Sequence, residues 1–196
     1  MGLLMIEIKE HLAQVLTTEM GKVIEEARGE VQEGIVMAFY MAGEGRRLFG
    51  ETVPSELQDK FAMSVRAPIG VVGLITPWNF PVAIATWKSF PAIVAGNTFL
   101  WKPATETPMM AVEMALIIEE VGLPEGAANI VFGSGSEVGT AMSEHPAVRA
   151  ISVTGTTEPG RHVGETGGRH RKRVTRERGG KEGLSGRDEH DREGAV

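Results

Sequence analysis

Four short, almost unbroken apolar runs, at 71–75, 98–101, 129–132 and 150–153, are separated by stretches of helical periodicity with glycine or proline stops. A strand that is apolar on both faces has to be covered on both faces. The alternation therefore calls for a parallel sheet with helices on either side, the doubly wound α/β class. The first run ends at Thr76-Pro77, and a helix is expected over about 82–95, stopped by Gly96-Asn97. Thr107 reads as a helix N-cap with Pro108 at the first helical position. Ala111, Met114, Ala115, Ile118 and Val121 form the stripe of that helix, and Gly122-Leu123-Pro124 its stop. Ligands in this class bind beyond the carboxyl ends of the strands, so the residues just after each run are the candidates for chemistry.

The flanking regions read differently. In residues 1–50, Ile8, Leu12, Val15 and Leu16 form one helical stripe and Ala27, Val31, Ile35 and Phe39 another, with Gly21 as the break. These helices offer an apolar face and few chemical groups, so packing is their expected role. Residues 51–160 hold the alternating pattern. In 161–196 there are eight glycines and only Val163, Val174, Leu184, Ala195 and Val196 as apolar anchors, too few to offset the entropy of ordering, so this tail is expected to be disordered. The tail carries 10 of the 20 Lys and Arg and 7 of the 26 Asp and Glu, hence +3 against −9 for the rest. Its acidic groups are interleaved and it has no aromatic residue for base stacking, which argues against nucleic acid.

With 42% hydrophobic and 23% charged residues the composition is that of a soluble protein. No apolar run reaches the roughly 18–20 residues a membrane helix needs. Glu7, Lys9 and Glu10 interrupt the start, where a signal peptide would be apolar, and there is no cysteine. The expected location is the cytoplasm. The five histidines show no metal-ligand spacing, so no metal is expected.

At the strand ends each candidate has two readings. Asn79 could donate its amide to a developing oxyanion, or cap the following helix as a turn residue. Lys102 could reach a nucleotide ribose or phosphate, with Thr105 and Glu106 beside it, or remain a solvated strand-end lysine. The turn at 133–139 spaces its glycines as GxGxxxG, one residue longer than the dinucleotide fingerprint, yet still suits close approach of a ligand. Thr154-Gly155-Thr156-Thr157 opens a helix whose free N–H groups could hold a phosphate or simply be capped.

Taken in order, APIGVVGLITPWNFP, FLWKPATETP, NIVFGSGSEVG and ISVTGTTEPGR resemble the aldehyde dehydrogenase superfamily. The resemblance implies a Rossmann-like cofactor domain and NAD(P)+-dependent oxidation of an aldehyde to a carboxylic acid. In that family a cysteine thiolate attacks the aldehyde and a glutamate activates water to release the acid. It also implies roles for particular residues: Asn79 as oxyanion donor, and Ile75, Thr76, Pro77 and Trp78 along the cofactor. Lys102, Pro103, Ala104 and Thr105 would lie at the adenosine ribose, Gly135, Ser136 and Gly139 on the adenine side, and Thr154, Gly155 and Thr156 at the diphosphate. Glu177 falls at the base position, in Glu177-Arg178-Gly179-Gly180-Lys181 where the family carries E-L-G-G-K.

The chain departs from the family pattern in several ways. It starts within the family's N-terminal region, ends before the nucleophile, and has no cysteine, so the isolated chain is expected to be an inactive fragment. Arg176, Arg178, Gly186 and Arg187 stand where apolar residues are expected. Sequence error or decay would explain them, and re-sequencing the coding DNA tests that; buried, the arginines would cost several kcal/mol. Thr105 replaces a glutamate found in many NAD-selective relatives, so NADP+ should be tolerated. The segment at 61–65 resembles the family's oligomerisation strand, which implies a homo-oligomer. The alternatives are a noncatalytic nucleotide-binding or oligomerisation module, or a non-functional degraded product.

Overall fold

The structure, a computed structural model, describes residues 1–178. Its centre is a five-stranded, all-parallel sheet: β3 (Val71–Ile75), β4 (Thr98–Lys102), β5 (Ala128–Ile130), β6 (Val148–Gly155) and β7 (Arg173–Arg178), in the spatial order β5-β4-β3-β6-β7. In register, Val71 to Ile75 lie opposite Thr98 to Lys102 on one side, and Val72 to Ile75 opposite Ala150 to Val153 on the other. The chain builds outward from β3 in one direction, then returns and builds outward in the other. The order therefore reverses between β3 and β6, and the crevice at such a reversal is where this class binds ligands.

Helices cover both faces. On one lie α4 (Ala83–Val94) and α5 (Pro108–Glu120), and outside them the N-terminal α1 (Gly2–Glu7), α2 (Lys9–Met20) and α3 (Ile24–Glu44). Leu74, Phe99 and Trp101 of the sheet share a core there with Val82, Phe90, Met110, Met114, Leu12, Leu16 and Val31. On the other face, α6 (Thr140–Glu144) and α7 (Thr157–Arg169) cover Ile75, Ile151 and Val153 with Met142 and Val163. Gly21, at φ 74°, ends α2 in the left-handed conformation that glycine alone adopts freely. A two-stranded antiparallel ribbon, β1 (Thr52–Val53) with β2 (Ala62–Met63), stands apart from the sheet. No helix among the described residues is long and apolar enough to cross a membrane.

Three expectations change. The tail is not without structure over its first part: α7 and β7 occupy 157–178. The glycines that argued for disorder instead allow close contact, since a Cβ on Gly167 would lie 2.5 Å from Val174 Cγ2, and one on Gly164 2.8 Å from Arg176 Nη1. Among the described residues β7 is the outermost strand, held by its backbone pairing to β6, and Arg173 and Arg176 are exposed there, so the cost of burying them does not arise. Gly179, Gly180, Lys181, Gly186 and Arg187 lie outside the described residues.

Second, the strand limits shift: the third is Ala128–Ile130 and the fourth extends to Val148–Gly155. Third, Thr107 occupies the N-cap of α5 but caps nothing; its hydroxyl is buried without a partner. The Glu19 carboxylate caps the helix instead, accepting from the amides of Met109 (2.5 Å) and Met110 (3.0 Å).

Candidate cofactor and oxyanion site

The carboxyl ends of β3, β4 and β6 bring the candidate residues into one region. Thr76 follows β3 and is buried; its hydroxyl accepts from the Trp101 indole at 2.9 Å, and its amide donates to the Lys102 carbonyl at 3.2 Å. The two ligand-facing loops are thus tied together at their roots. Pro77 is half-buried, while Trp78 and Asn79 are exposed. The Asn79 carboxamide has no hydrogen-bond partner among the described residues.

Lys102 is buried beside Pro103 and Ala104, and its ammonium donates to the Pro103 carbonyl at 2.8 Å. Burial lowers its pKa and the charge of Glu106 acts the other way. Thr105 is exposed, its hydroxyl 3.3 Å from the Glu106 carboxylate.

On the α6–α7 side a cavity of about 420 Å³ is lined by Ile75, Gly135, Ser136, Thr140, Val153, Glu158, His162 and Val163. Three of the residues named from sequence, Ile75, Gly135 and Ser136, therefore share one wall. A Cβ on Gly135 would meet nothing within 4 Å, and one on Gly139 would only touch Ile75 Cδ1 at 3.7 Å. The turn Gly135–Gly139 is a single π-helical turn, shaped by Ser134, whose hydroxyl accepts from the Glu137 amide at 3.1 Å. His162, expected within a disordered tail, lies on α7 with its Nε2 3.1 Å from the Thr140 hydroxyl.

Thr154 and Glu177 lie opposite each other on β6 and β7, and the Thr154 hydroxyl donates to the Glu177 carboxylate at 2.9 Å. Gly155 faces open space and Thr156 is the N-cap of α7, with no side-chain cap bond. The first amides of this 13-residue helix are thus available to an anion. Glu158, in the same turn, has its charge offset by Arg161 at 2.6 Å.

Sequence reasoning missed four polar residues here. Lys88 of α4 donates to the Ser152 hydroxyl at 2.9 Å. Burial lowers its pKa, opposed by the nearby charge of Glu177. Lys22, in the turn between α2 and α3, and Glu30 of α3 reach the loop that carries Asn79, and Glu19 of α2 reaches the start of α5. Spacing along the chain gives no hint of these contacts, because Glu30 and Val82 are 52 residues apart.

The cavity has apolar walls that suit a planar ring, open glycine backbone and the hydroxyls of Ser136 and Thr140, with the uncapped start of α7 beside it and the Glu158 carboxylate in its lining; hydroxyls, open backbone and a helix start together suit a dinucleotide. Among the described residues no cluster of His, Cys, Asp or Glu could hold a metal ion.

Comparison with known proteins agrees. The profile of the aldehyde dehydrogenase family matches residues 1–196. The chain is 43% identical over 187 residues to an alpha-ketoglutaric semialdehyde dehydrogenase of Bacillus subtilis, covering 95% of this chain and 38% of that protein. It is 40% identical over 193 residues to the NADP+ succinate-semialdehyde dehydrogenase of Escherichia coli, covering 98% and 40%. Among solved structures, an NADP-dependent enzyme of E. coli superposes with a TM-score of 0.89 at 41% identity, covering 91% of this chain and 37% of that one. A betaine aldehyde dehydrogenase of Staphylococcus aureus in complex with NAD+ does so at 0.89 and 36% identity, covering 92% and 36%. The chain spans about two fifths of the length of the curated relatives it matches.

Proposed function

The chain belongs to the aldehyde dehydrogenase family, and on that premise we propose that it forms the NAD(P)+-binding part of an oxidoreductase that converts an aldehyde to a carboxylic acid. The observation that carries this reading is the crevice at the strand-order reversal, where Ile75, Gly135 and Ser136 share a cavity near the uncapped start of α7. Residues 51–160 supply most of this unit, and residues 1–50 its supporting helices.

Bound NAD(P)+ would supply the hydride acceptor. Lys102 and Thr105 would hold the adenosine ribose, Gly135, Ser136 and Gly139 the adenine side, and Thr154 to Thr156 the diphosphate. Asn79 would donate its amide hydrogen to the aldehyde-derived oxyanion, and Glu177 would take a proton from water. The cysteine nucleophile of the family chemistry is not among these 196 residues, so the isolated chain should not oxidise aldehydes. The two curated relatives above are named for semialdehydes, which carry one carboxylate besides the aldehyde, and the same class of substrate is our reading for the activity proposed here. The exposed apolar residues in and beside the ribbon, Val53, Phe61, Met63 and Val65, suit self-association, and the proposed location is the cytoplasm.

A second reading, a noncatalytic nucleotide-binding module, is favoured by the absence of cysteine. Both readings require cofactor binding. Adding NADP+ to isotope-labelled chain should shift the amide resonances of Ile75, Gly135, Ser136, Gly155 and Thr156 together. Shifts scattered over the surface, or none, would reject the cofactor site. The two readings part in aldehyde turnover after the chain is extended in frame through downstream coding sequence: activity supports the first, and its absence the second.

A further inference from the structure

Lys22 and Glu30 form a buried network that no apolar packing requirement explains. The Glu30 side chain is fully enclosed and that of Lys22 is only 7% exposed. Glu30 Oε1 accepts from the amides of Val82 (2.8 Å) and Ala83 (3.2 Å), at the N-terminus of α4, where a negative charge is favoured. Its other oxygen accepts from Lys22 Nζ at 2.5 Å. The same ammonium donates to the Asn79 backbone carbonyl at 2.8 Å and stands 4.0 Å from the centre of the Phe80 ring. Carboxylate and ammonium are thereby fully partnered, and both ends of the 79–83 segment are pinned to the α2–α3 joint.

Buried ion pairs are poor stabilisers, because a well-packed apolar pair often does as well. What an apolar pair could not do is grip the Asn79 carbonyl. A donor to a developing oxyanion is effective only if its backbone is already in place when charge develops. Building on the role proposed for Asn79, we infer that Lys22 is a positioning residue for the Asn79 carboxamide, acting through the Asn79 carbonyl with Glu30 as its anchor. Gly21 supports this: its left-handed conformation turns the chain out of α2 just before Lys22. Gly34 lets α3 approach α4, since a Cβ there would lie 3.1 Å from Val82 Cγ1.

The test uses the 196-residue chain, isotope-labelled, with hydrogen exchange and side-chain amide resonances as readouts. In Lys22→Met, exchange at Val82, Ala83 and Ile84, whose amides are bonded to the Glu30 carboxylate and the Phe80 carbonyl, should accelerate at least about tenfold as the 79–83 segment loosens with loss of a charge-assisted hydrogen bond. The Asn79 side-chain amide signals should also shift. Lys22→Arg, which keeps the charge and several donors, should restore both toward wild type. Lys22→Met leaves Glu30 as a lone buried charge, which can unfold the chain, so the double variant Lys22→Met/Glu30→Gln is measured as well. It removes that charge and should still release Asn79. Unchanged Asn79 side-chain signals together with unchanged exchange at Ile84 in the double variant would overturn the inference. So would faster exchange spread evenly over the sheet without rescue by arginine, which marks general stabilisation. NADP+ titration of the wild-type chain reports separately on the cofactor reading: if it fails, that reading falls, while the exchange data still decide whether Lys22 holds Asn79.

Discussion

At the scale of single residues, Thr105 and Lys88 make the sharpest predictions. Thr105 presents a neutral hydroxyl where a carboxylate would grip the ribose and repel a 2′-phosphate, and its own hydroxyl is engaged by Glu106. Thr105→Glu should therefore lower NADP+ affinity relative to NAD+ by about tenfold, roughly 1.4 kcal/mol, measured by parallel titrations with both cofactors. An unchanged ratio would show that Glu106 already sets the preference. Lys88 has a pKa lowered from the ordinary 10.5 by burial. Between its folded and unfolded pKa values the unfolded chain binds more protons, so this lysine's penalty on folding is full below the folded pKa and fades as pH rises toward 10.5. Lys88→Met has no such penalty. Its stability relative to wild type should therefore fall as pH rises from neutral toward 10, read from denaturant midpoints at each pH.

Among the elements, the close fit of α7 to β7 and the start of α5 are the places to intervene. A Cβ on Gly167 would lie 2.5 Å from Val174 Cγ2, so Gly167→Ala should cost about 1–3 kcal/mol and raise amide exchange along β7 before the rest of the sheet. Glu19→Ala should cost about 1 kcal/mol, a typical capping loss, with the exchange increase confined to the first turn of α5. Thr107→Val should cost little, because its hydroxyl is already without a partner.

These elements also show what sequence could reveal. The sheet was legible because β3, β4 and β6 are continuous apolar runs with glycine and proline stops, and the helix ends at Gly21, Gly96 and Gly122 all have positive φ. β7 was not legible, since an edge strand can satisfy its backbone without apolar side chains. Nor were Glu19, Lys22 and Glu30, whose partners are distant in the chain and whose function depends on a tertiary approach that no local pattern encodes. Ile75, Gly135 and Ser136 were named from motif order, and the structure gathers them in one cavity. Asn79 and Lys102 lie beyond the strand ends that the pattern indicates, but the support beneath Asn79 comes from residues 1–50, which periodicity alone assigns to packing.

Taken whole, the chain on the proposed reading carries the cofactor half of a site. It has the crevice at the strand-order reversal, the Thr76–Trp101 and Thr154–Glu177 bonds that shape it, and a helical layer that holds it from behind. It has no thiol of its own. The most direct measurement is isothermal titration of the purified 196-residue chain with NADP+, then NAD+, at fixed ionic strength. Saturable one-to-one binding of NADP+, weakened by Lys102→Met, is the predicted result. Absence of saturable binding by a chain that circular dichroism shows to be folded would contradict the account.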